Sequence, residues 1–214
     1  MTEPATSPET EPIVGKLPRG RHRLSREQVE QSQRHRLMLG MAEAMTEKGY
    51  VGTSVADVLK RSGVGRETFY QYYGSKLDCF MDAFDTAGQV LFAQVDQAQA
   101  ELAGTPLERF ERGLTAYLDL LAAQPALARL FLVEVYAAGP EAMARRAALQ
   151  ARIVDALVVL LEAEGEEARF ACEVLVAAVA TMVTNPLVNG DYEALRALKE
   201  RIMRLVRRVA TGLE

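Results

Sequence analysis

From residue 25 onward, apolar residues recur three and four positions apart, the repeat of a helix with one buried face. Leu37, Met41, Ala44 and Met45 form the first such stripe and predict a helix from Ser25 to about Lys48. "SREQ" opens it as a capping box, with the Ser25 hydroxyl taking the third helical amide and Gln28 reaching back. Gly49 offers a left-handed stop. A second helix is expected to open on Thr53 as N-cap, to bury Val55, Val58 and Leu59, and to end at Gly63. Val64 plugs the turn, and a third helix over 66–72 keeps Phe69 and Tyr73 inward. "GSK" then starts a fourth helix at Ser75 with Leu77, Phe80, Met81 and Phe84 as its stripe. Further on, Thr105-Pro106 with Glu108 repeats the capping box, Pro125 and Pro140 mark starts, and Gly139 and Gly165 mark stops. The predicted helices there are 106–123, 125–138, 140–164, 167–184 and 191–211. No segment alternates with period two for long enough to make a strand, so the fold class is all-α.

Two helices of about two turns joined through "SGVG" have the layout of a helix-turn-helix. The outer side of the third helix carries Arg66, Glu67, Thr68, Tyr70, Gln71 and Tyr72. These side chains donate, accept and stack, which suits a flat polar partner better than plain solvent.

Charge sharpens that picture. Residues 1–76 hold 12 Lys/Arg against 9 Asp/Glu, whereas residues 77–214 hold 13 against 20. The basic excess is concentrated in residues 13–76, a polyanion-binding module attached to an acidic body or an ordinary solvated basic surface. Residues 1–15 are polar and Pro-rich and are expected to be disordered; residues 16–26 add a basic arm with Arg19, Arg21 and Arg23. With 49% hydrophobic residues the chain has material for a large core. No run reaches the ~18 apolar residues of a membrane span, and the acidic start is unlike a secretory signal. A cytoplasmic location without membrane association is expected. Cys79 and Cys172 fall in apolar helical patterns and read as buried thiols. Both histidines, His22 and His35, precede the second helix. The rest of the chain has none for a triad, a zinc site or a di-iron site, so no enzyme activity, catalytic residue, metal or cofactor is expected.

The run "TSVADVLKRSGVGRETFYQYYGSKLDCF" resembles the DNA-binding signature of the TetR family of transcriptional regulators. The Gly63-Val64 turn, Thr68, Tyr70, Tyr73 in the usual Phe position and Lys76 fall at the family's spacing, preceded by Gly49-Tyr50 and Thr53. The likeness covers roughly residues 30–80; beyond it only length and helix order agree. Gly65 departs from the usual Ser or Thr cap and Tyr72 from the common His. The resemblance implies a homodimer that places two recognition helices on a pseudo-palindromic double-stranded operator. It also implies a C-terminal domain that binds a small-molecule effector, and most often a repressor released by it. The domains expected are a tail and arm (1–24), the helix-turn-helix (25–74) and an effector and dimerisation body (75–214).

Within that frame Arg66 reaches phosphate or guanine, Gln71 adenine, and Thr68 a thymine methyl or phosphate. Tyr70 and Tyr72 are expected phosphate donors, Tyr72 alternatively part of the core. Lys76 and Thr53 are phosphate candidates, Thr53 also explicable as a cap alone. Glu67 accepts from cytosine or pairs with a neighbouring cation. The arm arginines enter the minor groove or merely solubilise. In the body, Glu134 sits among apolar neighbours, where an unpaired carboxylate is costly. It either meets a ligand in a pocket with Tyr117, Leu121, Phe131, Val135 and Met143, or pairs with Arg129, Arg145 or Arg146. Cys172 and Thr181 are further ligand candidates. Phe170, Val174, Ala178 and Met182 on one helix, with Leu198, Ile202, Leu205 and Val209 on the next, suit either a dimer seam or a monomer's own core. The alternative to a regulator is an all-α ligand-binding or interaction protein whose basic head binds an acidic partner.

Overall fold

A computed structural model describes residues 25–100 and 104–212, with the side chains of 209–212 left aside. All regular elements among the described residues are helical. The first three helices are α1 (Arg26–Gly52), α2 (Val55–Ser62) and α3 (Arg66–Tyr72). The Ser25–Gln28 capping box forms in both directions. The stripe of Leu37, Met41, Ala44 and Met45 is fully enclosed. Gly49 breaks α1 at φ 66°, and one further turn runs on to Gly52.

The start of α2 differs from expectation. Ser54, not Thr53, is its N-cap, in a reciprocal box with Asp57. Thr53 lies one residue too early, and its hydroxyl donates to the Gly49 carbonyl at the end of α1. Gly63 ends α2 at φ 63°, a conformation in which a side chain would be strained. The Arg36 guanidinium donates to the Ser62 carbonyl that this ending leaves open.

The long α4 (Lys76–Ala100) passes from these helices into the body, made of α5 (Pro106–Ala123), α6 (Pro125–Leu132), a 3-10 turn (Glu134–Ala137), α7 (Pro140–Leu160), α8 (Gly165–Met182), α9 (Thr184–Asn189) and α10 (Tyr192–Gly212). The helix expected over 125–138 is interrupted at Val133, where φ is −115°, so that Glu134 turns inward. The helix expected to end at 164 stops at Leu160, and α9 is a short extra helix closed by Gly190 at φ 69°. α1 packs on α6 and the 3-10 turn as well as on α2 and α4, and α10 packs on α5. One apolar core therefore runs from head to body. Its spine is aromatic: Phe80 stacks on Phe84 and Phe84 on Phe131, with centroids 6.3 and 4.8 Å apart.

Three side chains of the expected dimer seam lie elsewhere. Leu198 and Ile202 are buried within the protomer, because α10 turns that side toward α5, and Met182 packs partly against the same core. The Val209 side chain lies outside the described residues. Phe170, Val174 and Leu205 remain exposed, at 64%, 52% and 55%, with Ala178 half-buried beside them. The expectation that no stretch is long and apolar enough to span a membrane also needs correction. Gly165–Asn189 meets that criterion by length and composition, and only 17% of its apolar window is buried.

Candidate nucleic-acid interface and cavity

The third helix has a clean division of faces. Phe69 is fully buried and Tyr73 nearly so, each ring against the other at 5.5 Å. The Tyr73 hydroxyl donates to Asp82 on α4, and burial, then that bond, push its pKa up. These contacts fix α3 on its base and leave Arg66, Glu67, Tyr70 and Gln71 exposed, with Thr68 half-buried. The Arg66 guanidinium lies 5.7 Å from the Tyr70 ring centre, so the two extend one surface.

Three other residues expected on DNA have internal work. Thr53 is 2% exposed with its hydroxyl spent on Gly49, which leaves nothing for a phosphate. Lys76 sends Nζ back to the Tyr50 and Thr53 carbonyls at 2.8 and 2.9 Å and sits 4.1 Å from the centre of the Tyr50 ring. Its charge thus meets the carbonyl end of α1, where a cation is favoured, while burial draws its pKa down. Tyr72 is half-buried and its hydroxyl donates to Gln33 on α1, so its proton is committed inside the head. Arg19, Arg21 and Arg23 lie outside the described residues.

Glu134 finds its partners within the protomer. One carboxylate oxygen accepts the Tyr50 N–H at 2.7 Å and the other lies 3.8 Å from Arg129, which also donates to the Val188 carbonyl. The ion-pair reading with Arg129 is the one the geometry selects, with the added role of satisfying the amide freed by the break at Gly49. Together Glu134 and Lys76 bind the Gly49–Thr53 corner from two sides.

A half-open cavity of about 180 Å³ lies between α4, α5, α6, α7 and α8. Tyr117 and Phe131 line it, as expected. The remaining candidates do not. Leu121 borders a separate, smaller cavity, and Val135 and Cys172 are packed in the core. Met143 is absent from either wall. Thr181 is exposed on α8 with its hydroxyl on the Ala177 carbonyl. The polar side chains that do reach the cavity are Asp96, Gln99, Arg146 and Gln150, besides Tyr117. A signal for them exists in "RRAALQARIVDALVVL": Arg146, Gln150, Ile153, Leu157 and Leu160 share one helical stripe that is polar at one end.

A three-helix head containing a helix-turn-helix is thus joined by α4 to a helical body that carries the cavity. Residues 41–83 match the family model "Bacterial regulatory proteins, tetR family". The match spans the second half of α1, α2, α3 and the first turns of α4. The chain is 32% identical over 73 residues to an uncharacterized HTH-type transcriptional regulator of Mycobacterium tuberculosis, covering 34% of this chain and 38% of that one. It is 28% identical over 134 residues to the HTH-type regulator EthR of Mycolicibacterium smegmatis, covering 62% and 61% respectively. The chain thus spans less than two thirds of the length of these curated relatives. Among solved structures, FadR from Bacillus subtilis, in complex with stearoyl-CoA, superimposes with a TM-score of 0.69 at 22% identity, covering 80% of this chain and 96% of that one. A TetR-like regulator from Rhodococcus does so with 0.65 at 18%, covering 88% and 99%.

Proposed function

We propose that the protein is a DNA-binding transcriptional regulator of the TetR type, a homodimeric repressor released from a pseudo-palindromic operator by a small molecule held in the body cavity. The observation that carries the reading is the face of α3, where Arg66, Glu67, Thr68, Tyr70 and Gln71 project while Phe69 and Tyr73 anchor the opposite side. A short helix held rigidly with such a face is suited to the major groove, with Arg66 and Gln71 as base-reading candidates and Tyr70 on phosphate. Residues 25–74 serve as reading head and 75–214 as effector and dimer body.

Dimerisation is supported by the apolar side of α8 that the protomer leaves uncovered. Phe170, Val174, Ala177, Ala178 and Thr181 recur on one face of α8, with Leu205 of α10 exposed as well. Two reading heads a helical turn apart require a paired body. For release, Phe131 lines the cavity and stacks on Phe84 of α4, while Glu134, just beyond the Val133 break, holds the head's Gly49–Tyr50 corner. A ligand that displaces α6 therefore tilts the head, and a coupling of ~1–3 kcal/mol weakens operator binding 5- to 150-fold. Gel shifts with the DNA flanking its own gene at two salt concentrations test the assignment. Sequence-selective retardation that Arg66→Ala and Gln71→Ala each weaken is expected; retardation indifferent to sequence and to both substitutions rejects it.

A further inference from the structure

Arg146 is an unusual group for the wall of an apolar cavity. A guanidinium carries five N–H donors, and among the described residues its hydrogen bonding is a single bond, Nη1 to Gln150 Oε1 at 2.9 Å. Its flat face rests on Tyr136, 4.8 Å from the ring centre. Among the described residues no carboxylate lies within ion-pair reach of it. Asp96, the acidic residue of the same wall, is exposed on α4. Tyr117 supplies a second unmet group. It is half-buried on the cavity wall, its hydroxyl makes no hydrogen bond to any described residue, and burial pushes its pKa up while Arg146 draws it down. A half-buried phenol with no partner and a half-buried guanidinium with donors to spare are costly until an acceptor arrives. From Gln150 the stripe continues through Ile153 and Leu157 to Leu160, with roughly 10 Å of apolar wall from Ile153 onward along α7 at about 1.5 Å per residue.

We propose that the cavity takes a carboxylate with a long apolar tail, its head held by Arg146 and Tyr117 and its tail laid along α7. Gln150 acts as a positioning residue, orienting the guanidinium so that its remaining donors face the head. The planar fork of arginine matches a carboxylate's two oxygens, and the phenol adds a third donor. The inference rests on the reading of the cavity as the effector site, and deepens it by naming the chemical class.

The test is calorimetric titration of the full-length protein with hexanoate, octanoate, decanoate and dodecanoate, the matching alcohols, and decanoyl-CoA. Dissociation constants for the acids are expected to fall about fourfold per added methylene, at least to decanoate, with each alcohol at least tenfold weaker than its acid. Arg146→Gln removes the preference for acid over alcohol and keeps the chain-length trend, a pattern that mere unfolding would not produce. Tyr117→Phe weakens acids several-fold and alcohols less. Equal binding of acids and alcohols, binding of decanoyl-CoA alone, or no binding by any member overturns the inference, and the operator-binding reading then stands or falls by its own gel shifts. Acid-selective binding that leaves operator affinity unchanged supports the ligand class and removes the effector role.

Discussion

Glu134→Ala tests the joint between head and body. The carboxylate is 6% exposed and accepts the Tyr50 N–H at 2.7 Å, a bond that crosses from the 3-10 turn to the end of α1. Truncation takes the acceptor away from that part-buried amide, at a cost of about 1–3 kcal/mol. The Arg129 pair contributes less. At 3.8 Å it is longer than a good hydrogen bond, and Arg129 keeps the Val188 carbonyl at 3.3 Å, so its loss adds about 1 kcal/mol or less. The sum is about 1–4 kcal/mol, centred near 2.5. Glu134→Gln keeps an oxygen for Tyr50 and loses the charge, which costs about 1 kcal/mol, the difference between charged and neutral hydrogen bonds. Urea unfolding at one fixed protein concentration is the assay, since a dimer's midpoint moves with concentration. With slopes of about 2–3 kcal/mol per molar, the alanine variant should lose roughly 1 M of midpoint and the glutamine variant under half of that. An alanine variant within 0.5 kcal/mol of the parent, on the scale of surface changes, would show the bond to be incidental. Equal losses for the two variants would assign the effect to the charge and not to the amide.

Lys76→Met removes two donors to the end of α1 and should destabilise the head by about 1–3 kcal/mol, while the slope of log binding constant against log salt stays as it was; a drop of about 0.9 would restore Lys76 as a phosphate ligand. Gly40→Ala places a Cβ 2.9 Å from the Ser62 amide nitrogen and 3.0 Å from the Val58 carbonyl, both backbone. It should cost about 1–3 kcal/mol in thermal or urea unfolding despite alanine's better helix propensity, and an unchanged midpoint would mean that α1 and α2 separate freely. Cys79 is 1% exposed with its thiol pKa pushed up to about 12 by burial, so it should resist thiol reagents at pH 8 until urea unfolds the chain; prompt labelling of the native protein contradicts this. Deleting residues 1–24 should lower the salt slope by about 0.9 for each phosphate that the basic arm neutralises, and an unaltered slope dismisses the arm.

What could be read in advance follows from how local each signal is. Capping boxes at Ser25 and Thr105, the stop at Gly63, and the inward pair Phe69 and Tyr73 each depend on residues within a turn of one another, and all form, while Gly49 kinks α1 and the helix ends one turn later at Gly52. Thr53 and Ser54 are adjacent hydroxyl residues of similar capping propensity, and what separates them is Asp57, three residues beyond Ser54 and able to close the box. That difference of one residue moves Thr53 from an outward cap to an inward lock, which removes it from the phosphate-facing surface.

The misassigned residues are those whose partners are distant in the chain. Lys76 was legible as a cation at the wrong end of α4, but the carbonyls that satisfy it belong to α1 and the residue after it, more than twenty positions earlier. Glu134 was legible as a carboxylate needing a partner, and its acceptor role depends on an amide 84 positions away that exists only because Gly49 interrupts α1. Leu198 and Ile202 follow the same logic from the apolar side: a helical stripe states that a face is covered and says nothing about whether α5 or a second protomer covers it. The cavity residues are hardest, because a void has no sequence pattern of its own. Only the polar end of an otherwise apolar stripe, Arg146 and Gln150 above Ile153, Leu157 and Leu160, marks where the body stops packing against itself and leaves donors for another molecule to meet.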